Sequence, residues 1–251
     1  MSQPSVILVN HAGTDKLVAE VARVSFANSN FDPTIEANTS DKSLIQYLAR
    51  GLRTKEFDVL LERIEQANTR EEAFALYDTI RHISTHFTPF THTSVTVQCS
   101  APIPIRTQLF KHTIGLTANE ESRRYIVDTP ELFIPDVFRA KAEDVKQGSA
   151  GEHRNSPLWQ AEYITHCQQG IKLYEEMIAD GICPEQARFV LPQGVKVNWV
   201  WTGNMFAFAN VFNKRVDSHA QKEVQDFALD LQKVIEPLFP ISWSALTRKT
   251  Y

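Results

Sequence analysis

The densest group of chemically capable side chains lies between Gln108 and Tyr125, where Lys111, His112, Asn119, Glu120, Ser122, Arg123 and Arg124 fall within a short span. Guanidinium forks and a hydroxyl suit a phosphate, and an amide with a carboxylate suits the edge of a pyrimidine, so the span holds a nucleotide's inventory. A solvated charged turn has the same composition, and composition alone leaves both readings open. A second cluster sets Asn204, Asn210, Arg215, Asp217, His219 and Gln221 among aromatic residues. Asn204 and Asn210 are well separated around the axis of a helix, so they face different surroundings. The ordinary reading of the same stretch makes Asp217 a helix N-cap and Arg215 a surface residue. A third segment offers His82, His86 and His92; the first two, four apart on a helix, have the spacing of metal ligands. Pro89 interrupts that segment, no H-E-x-x-H occurs and no acidic partner stands at helical spacing. The histidines therefore read better as polar or cofactor-facing side chains.

These clusters need rigid elements to hold them. The opening MSQPSVILVNHAG reads as a first strand, since it lacks the basic flank and small-residue cleavage pattern of a secretory leader. Asp15 is the candidate cap of a helix carrying Leu17, Val18, Val21, Ala22 and Val24, ending near Ser25. Residues 27–40, rich in Asn, Ser and Thr around Pro33, have turn chemistry and predict an exposed loop. Helices follow over about 41–50 and 54–67, and Thr69 with Glu72 forms a capping-box pattern before Phe74, Tyr77, Ile80 and Ile83. The period then changes to two, with Val95, Val97 and Cys99 alternating with Thr96 and Gln98, as in a half-buried strand. Residues 102–112 return to helix. The longest helix starts at Ser156-Pro157, carries Ile164, Cys167, Ile171, Tyr174 and Ile178 at steps of three and four, and stops at Gly181. Asp217 is expected to start the last long helix, with Ala220, Val224, Phe227, Leu231 and Ile235 on one face, until Pro237 breaks it. Residues 140–156 form the one plausible linker, but the segment is short and reads better as a surface excursion.

Composition limits what this scaffold does. A chain of 251 residues, with 43 % hydrophobic and 22 % charged residues, builds a self-sufficient core and is expected to form a single domain over residues 1–251. A net charge of -4 provides no general field for polyanions, so a nucleic-acid polymer is not an expected partner and phosphate recognition falls to a few local cations. Cys99, Cys167 and Cys183 are far apart and odd in number, which suggests neither a disulfide framework nor a zinc knuckle and fits a reducing cytoplasm. No apolar run approaches the roughly 18 to 20 residues of a membrane span. No G-x-G-x-x-G, Walker loop or G-x-S-x-G elbow occurs, so a bound nucleotide is held by another device.

Taken together, the segments resemble the flavin-dependent thymidylate synthases, the ThyX type, in order and in spacing over most of the chain. The family's Arg-His-Arg, seven residues, Ser, x-Arg-Tyr hallmark is matched by Lys111-His112-Thr113 followed, with one added residue, by Ser122-Arg123-Arg124-Tyr125. Gln186-Ala-Arg188-Phe-Val-Leu-Pro192 is similar to an A-R-x-x-L-P element, and Arg215-Val-Asp217-Ser-His-Ala-Gln221-Lys-Glu223 to R-x-D-x-x-A-Q-x-E. Ala22-Arg-Val-Ser25 and His86-Phe-Thr88-Pro-Phe match segments that meet the flavin in that family.

The resemblance implies methylation of deoxyuridine monophosphate (dUMP) to thymidylate, with methylenetetrahydrofolate as carbon donor, bound FAD and NADPH as reductant. It implies a mixed α/β (α+β) fold, with a central, mostly antiparallel sheet covered by helices, and a cytoplasmic homotetramer with flavin between subunits. It assigns nucleotide binding to Gln108, Glu120, Ser122, Arg124, Arg188 and Arg215, with Arg215 and Ser122 as the catalytic pair. Flavin binding is assigned to Ser25, His86, Thr88, Lys111, His112, Asn204 and Asn210, and no metal is expected. This type of synthase uses no cysteine nucleophile. Lys111 and Thr113 replace two hallmark arginines, Phe206 stands where Arg is common and Thr91 where Glu is common, so flavin contacts are expected to be fewer. Two other classes use the same residues: a nucleotide-binding regulator that keeps Arg124 and Arg215 without flavin chemistry, and a metal-dependent nucleotide hydrolase built on His82, His86 and His92.

Overall fold

A computed structural model describes residues 3–81, 83–142 and 148–247. In chain order the elements are β1 (Ser5–Ala12), α1 (Asp15–Arg23), α2 (Thr39–Arg50), α3 (Thr54–Glu65), α4 (Arg70–Arg81), β2 (Ser94–Pro102), α5 (Ile103–Leu109) and β3 (Leu116–Glu120). They continue with β4 (Arg139–Lys141), β5 (Ser149–Glu152), α6 (Ser156–Ala179), α7 (Pro184–Ala187), β6 (Lys196–Gly203), α8 (Met205–Arg215), α9 (Lys222–Ile235) and α10 (Pro240–Leu246). The fold is mixed α/β with an antiparallel sheet, as expected. Four strands pair in the order β1-β2-β6-β3, and β4 pairs antiparallel with β5. No described helix is long and apolar enough to cross a membrane.

The chain divides into two compact units. The first comprises Met1–Val9, Thr96–Thr202 and Val211–Gln232; the second comprises Asn10–Val95, Gly203–Asn210 and Lys233–Tyr251. In the first unit the strand period of two sends Val97, Cys99 and Ala101 of β2 and Val197, Trp199 and Trp201 of β6 into the core. Trp199 stacks on Phe227 of α9 at 5.9 Å and meets Phe110 edge-on at 5.7 Å. Full burial of such a side chain contributes about 1.5 to 3 kcal/mol, so this aromatic contact ties helix to sheet. Ile7, Leu8 and Val9 of β1 and Val200 of β6 remain exposed. Along α6 the predicted stripe buries Cys167 and Tyr174, and Gly181, at φ +88°, takes the left-handed conformation that ends it. Gly194 has the tightest surroundings: a Cβ there would lie 1.8 Å from the Tyr163 hydroxyl, which donates to the Phe133 carbonyl at 2.7 Å.

In the second unit Val18, Ala19, Ile45, Leu48 and Phe90 form a core cluster against which Phe206, Ile241, Ala245 and Leu246 pack. Half of the capping pattern at Thr69 is present: its Oγ1 accepts from Glu72 N at 3.1 Å, while Glu72 Oε2 accepts from Asn68 N at 3.1 Å instead of from Thr69 N.

Two local expectations are corrected. Thr14, not Asp15, caps α1, because its Oγ1 accepts from Leu17 N at 3.4 Å. Asp15 is buried and accepts from Ile241 N at 2.8 Å and Ser242 N at 2.9 Å, so it caps α10, a helix the sequence pattern did not announce. Asp217 does not start α9; it forms a turn in which Oδ1 accepts from His219 N, and the helix begins at Lys222. The stretch 140–156, read as a surface excursion, carries where described the exposed β5 paired with the end of β4; residues 143–147 fall outside the described residues.

Candidate active site

The first unit carries the residues expected to bind a nucleotide. Pro102 opens α5, which carries Arg106 and Gln108; a turn through Lys111, with Gly115 at φ +72°, leads into β3 and Glu120. The last turn of α8 carries Arg215. Its Nε donates to His112 Nε2 at 2.9 Å and its Nη2 donates to the Gln108 carbonyl at 2.6 Å. A ring nitrogen that accepts from a guanidinium must be unprotonated. Burial, then the positive charges of Arg215 and Lys214, push His112 down from 6.5 to about 4, which keeps it so.

Gln108 and Arg215 line a cavity of about 670 Å³ with Arg139, Gln221 and Glu223. Here Gln108 Nε2 donates to Gln221 Oε1 at 2.6 Å, Gln221 Nε2 to Glu223 Oε2 at 2.9 Å, and Arg139 Nη2 to both Glu223 oxygens at 2.7 and 2.8 Å. A smaller cavity of about 330 Å³ gathers Glu120, Ser122 and Arg188 with Arg106. Arg106 Nε lies 2.9 Å from Glu120 Oε2. Burial, helped by Glu121, raises Glu120 above its usual range against the opposing pull of Arg106. Arg124 is half-exposed, 3.6 Å from Glu185 and over the Tyr125 ring. The six predicted nucleotide residues thus form two groups: Gln108 with Arg215, and Glu120, Ser122 and Arg188, with Arg124 lining neither cavity.

Of the predicted flavin residues, Lys111 and His112 belong to the first unit and Ser25, His86, Thr88, Asn204 and Asn210 to the second. In the second unit His86 stacks on Tyr47 at 6.0 Å, and Phe87 stacks on Phe206 at 5.0 Å. Phe206 thereby has a packing role in place of a charge, and Thr91 closes a turn on the Thr88 carbonyl at 2.7 Å. Asn204 is half-buried and its Oδ1 accepts from Ala207 N at 2.8 Å, which leaves its amide N–H groups as donors; Asn210 is exposed. Exposed stacked rings with amide and hydroxyl groups fit the flat, hydrogen-bonding isoalloxazine of a flavin, and Lys111, exposed in the first unit, fits a phosphate.

His82 lies outside the described residues, so its pairing with His86 has no structural description. Among the described residues no three or more His, Cys, Asp or Glu side chains stand together as metal ligands. The sequence reading left Arg106, Arg139, Gln221 and Glu223 without roles. Gln221 and Glu223 sit in the R-x-D-x-x-A-Q-x-E element and were findable there; Arg139, alone in an irregular stretch, had no signal.

The family model of the thymidylate synthase complementing proteins matches residues 7–241. The chain belongs to that family, the flavin-dependent thymidylate synthases. A flavin-dependent thymidylate synthase from Thermosipho africanus is 33 % identical over 168 residues, covering 66 % of this chain and 73 % of that protein. One from Thermotoga neapolitana is 29 % identical over 247 residues, covering 98 % and 92 %. Among solved structures, the UMP/dUMP methylase PolB from Streptomyces cacaoi, bound with 5-Br dUMP, superposes with a TM-score of 0.75 at 25 % identity, covering 97 % of this chain and 94 % of that one. As a member of this family the chain is an enzyme of the methyltransferase type.

Proposed function

We propose that the protein, acting as one domain along its length, methylates dUMP to dTMP with methylenetetrahydrofolate as carbon donor, FAD as bound cofactor and NADPH as reductant. The observation that carries the reading is Arg215, held by neutral His112 and the Gln108 carbonyl at the wall of the large cavity. Two of its N–H groups are committed to protein acceptors, and the rest of the guanidinium is presented to a pyrimidine. Ser122, Arg124 and Arg188 supply the hydroxyl and forks for the phosphate, Glu120 accepts from the nucleotide, and Ser122 and Arg215 are the catalytic pair. FAD, held by Ser25, His86, Thr88, Lys111, His112, Asn204 and Asn210, supplies the hydride that completes the methyl group.

Five of the six nucleotide residues divide between two cavities within one chain and Arg124 lines neither, so a complete site is best assembled from more than one copy. Exposed Ile7, Leu8 and Val9 of β1 and Val200 of β6 offer apolar surface for such contacts. We therefore read the protein as a cytoplasmic homotetramer. No thiol is required: Cys99 and Cys167 are buried, and burial raises both thiols.

The test is a visible spectrum of the purified chain with FAD added. Retained oxidised-flavin absorbance that NADPH bleaches, and dTMP formed from dUMP and methylenetetrahydrofolate, are expected. A protein that stays colourless at excess FAD yet binds dUMP is a regulator, and nucleotide hydrolysis lost to a chelator would assign the metal-dependent class.

A further inference from the structure

We propose that Arg139, Gln221 and Glu223 are positioning residues that fix the polarity of the Gln108 amide and so make the large cavity select a uracil ring over a cytosine ring. The inference rests on the nucleotide reading above and goes beyond it by naming what discriminates between bases.

A glutamine amide offers N–H groups at one end and an acceptor at the other, and its sense is set by its neighbours. Here the sense is set from one end of a chain of hydrogen bonds. Glu223, as a carboxylate, only accepts, so the group of Gln221 that faces it at 2.9 Å is the amide nitrogen. The Gln221 oxygen therefore points the other way and accepts from Gln108 Nε2 at 2.6 Å. That engages one of the two Gln108 N–H groups, fixes the sense of the amide and leaves Gln108 Oε1 as the acceptor end of the relay, with no hydrogen bond to it from the described residues, on a side chain that lines the cavity with Arg215.

Arg139 anchors the far end. Its Nη2 reaches both Glu223 oxygens, and its Nε donates to Ser149 Oγ at 2.8 Å, so the β4–β5 hairpin holds the guanidinium. Burial alone would push the Glu223 carboxyl up. The hydrogen bonds from Arg139, its own backbone amide and Gln221, with the Arg139 charge, outweigh burial and hold it below the usual range.

The consequence for a pyrimidine follows from its edge. Uracil carries N3–H, a donor, flanked by two carbonyl oxygens; cytosine carries a bare N3, an acceptor, beside an amino group. A cavity wall that offers an amide oxygen next to guanidinium N–H groups complements the first pattern and sets lone pair against lone pair in the second. Unpaired or opposed polar groups in a desolvated site discriminate more strongly than a lost apolar contact.

The experiment measures affinities of the full chain, with FAD added, for dUMP and dCMP at pH 8. Wild type should prefer dUMP. Glu223→Gln replaces an obligate acceptor with a group that both donates and accepts, so the relay runs in either sense, and the dUMP-to-dCMP preference should fall by about tenfold or more. Glu223→Asp keeps the acceptor and should restore much of the preference. Gln221→Leu cuts the relay at an exposed position and should lower the preference likewise, with a melting curve to check that the variant is folded. If wild type binds dUMP but Glu223→Gln and Gln221→Leu keep its preference, or weaken both nucleotides equally, the positioning role is overturned and the nucleotide reading stands. If wild type binds neither nucleotide, the nucleotide reading fails and this inference with it.

Discussion

Two polar networks in this molecule are built from similar side chains and have opposite uses. In the second unit, Lys16 lies 2.8 Å from Glu20 and 3.2 Å from Asp41, Arg23 lies 2.6 Å from Glu20, and Arg23 also pairs with Asp41. Glu20 and Asp41 are almost wholly buried, and backbone amides of Asn30 and Asn38 donate to them at 2.5 and 2.9 Å. Each charge there faces an opposite one, so the cluster's chemistry is spent on holding α1, α2 and the loop between them. In the first unit the run from Arg139 through Glu223, Gln221 and Gln108, with Arg215 and His112 beside it, lines a cavity and ends in groups with capacity to spare. The contrast separates structural polarity from functional polarity: a network closed on itself fixes the fold, and one left open at a cavity wall recognises something.

The largest test of this contrast is Asp41→Asn. It leaves Arg23 and Lys16 short of a counterion in a buried setting, which costs about 3 to 5 kcal/mol. The urea midpoint should fall accordingly, while dUMP affinity of the folded fraction stays unchanged; a lost nucleotide site with intact stability would reverse the two roles. Arg215→Ala should do the converse, weakening dUMP binding by roughly 10- to 150-fold, as expected for about 1.5 to 3 kcal/mol from a charged hydrogen-bonding group. Its check is a nucleotide titration beside a melting curve that moves little.

The third test uses pH. His112 titrates at about 4 when folded and near 6.5 when unfolded. The unfolded chain therefore binds the extra proton first, and the stability linked to this ring is full above about 6.5 and declines as pH falls toward 4. An NMR titration should show one histidine still neutral at pH 5; a ring protonating near 6.5 would mean that the Arg215 hydrogen bond does not form. The smallest effect belongs to Cys183→Ala, at an exposed thiol outside both networks, for which turnover and stability should be unchanged.

Much of the scaffold was legible because single elements carry strong periodicity. The alternation at Val95, Val97 and Cys99 and the stripe from Ile164 to Ile178 were read correctly, since burial of one face forces those periods. The errors fell where distant partners decide. Asp15 has the residue type of a local cap, yet its carboxylate serves a helix near the other end of the chain. Arg139 carried no signal because its β-pairing is short and its side-chain partner Glu223 is remote in sequence. In the site, Arg215, Gln108 and Glu120 stood out by type and motif. That five of the six residues proposed to bind nucleotide divide between two cavities is a property of packing that no spacing encodes.

The cap that Asp15 provides also constrains how the chain comes to be folded. The carboxylate and the amide of Ile241 are separated by 226 residues. At elongation rates of about 5 to 20 residues per second, a ribosome delivers α1 roughly ten to forty-five seconds before α10. Through that interval the apolar face that Ile241, Ala245 and Leu246 later cover on Val18 and Ile45 is uncapped, so the amino-terminal helices emerge as an unfinished half awaiting the carboxyl terminus. Truncation at Phe239, although it deletes only the tail, would act as a lesion in the first helix.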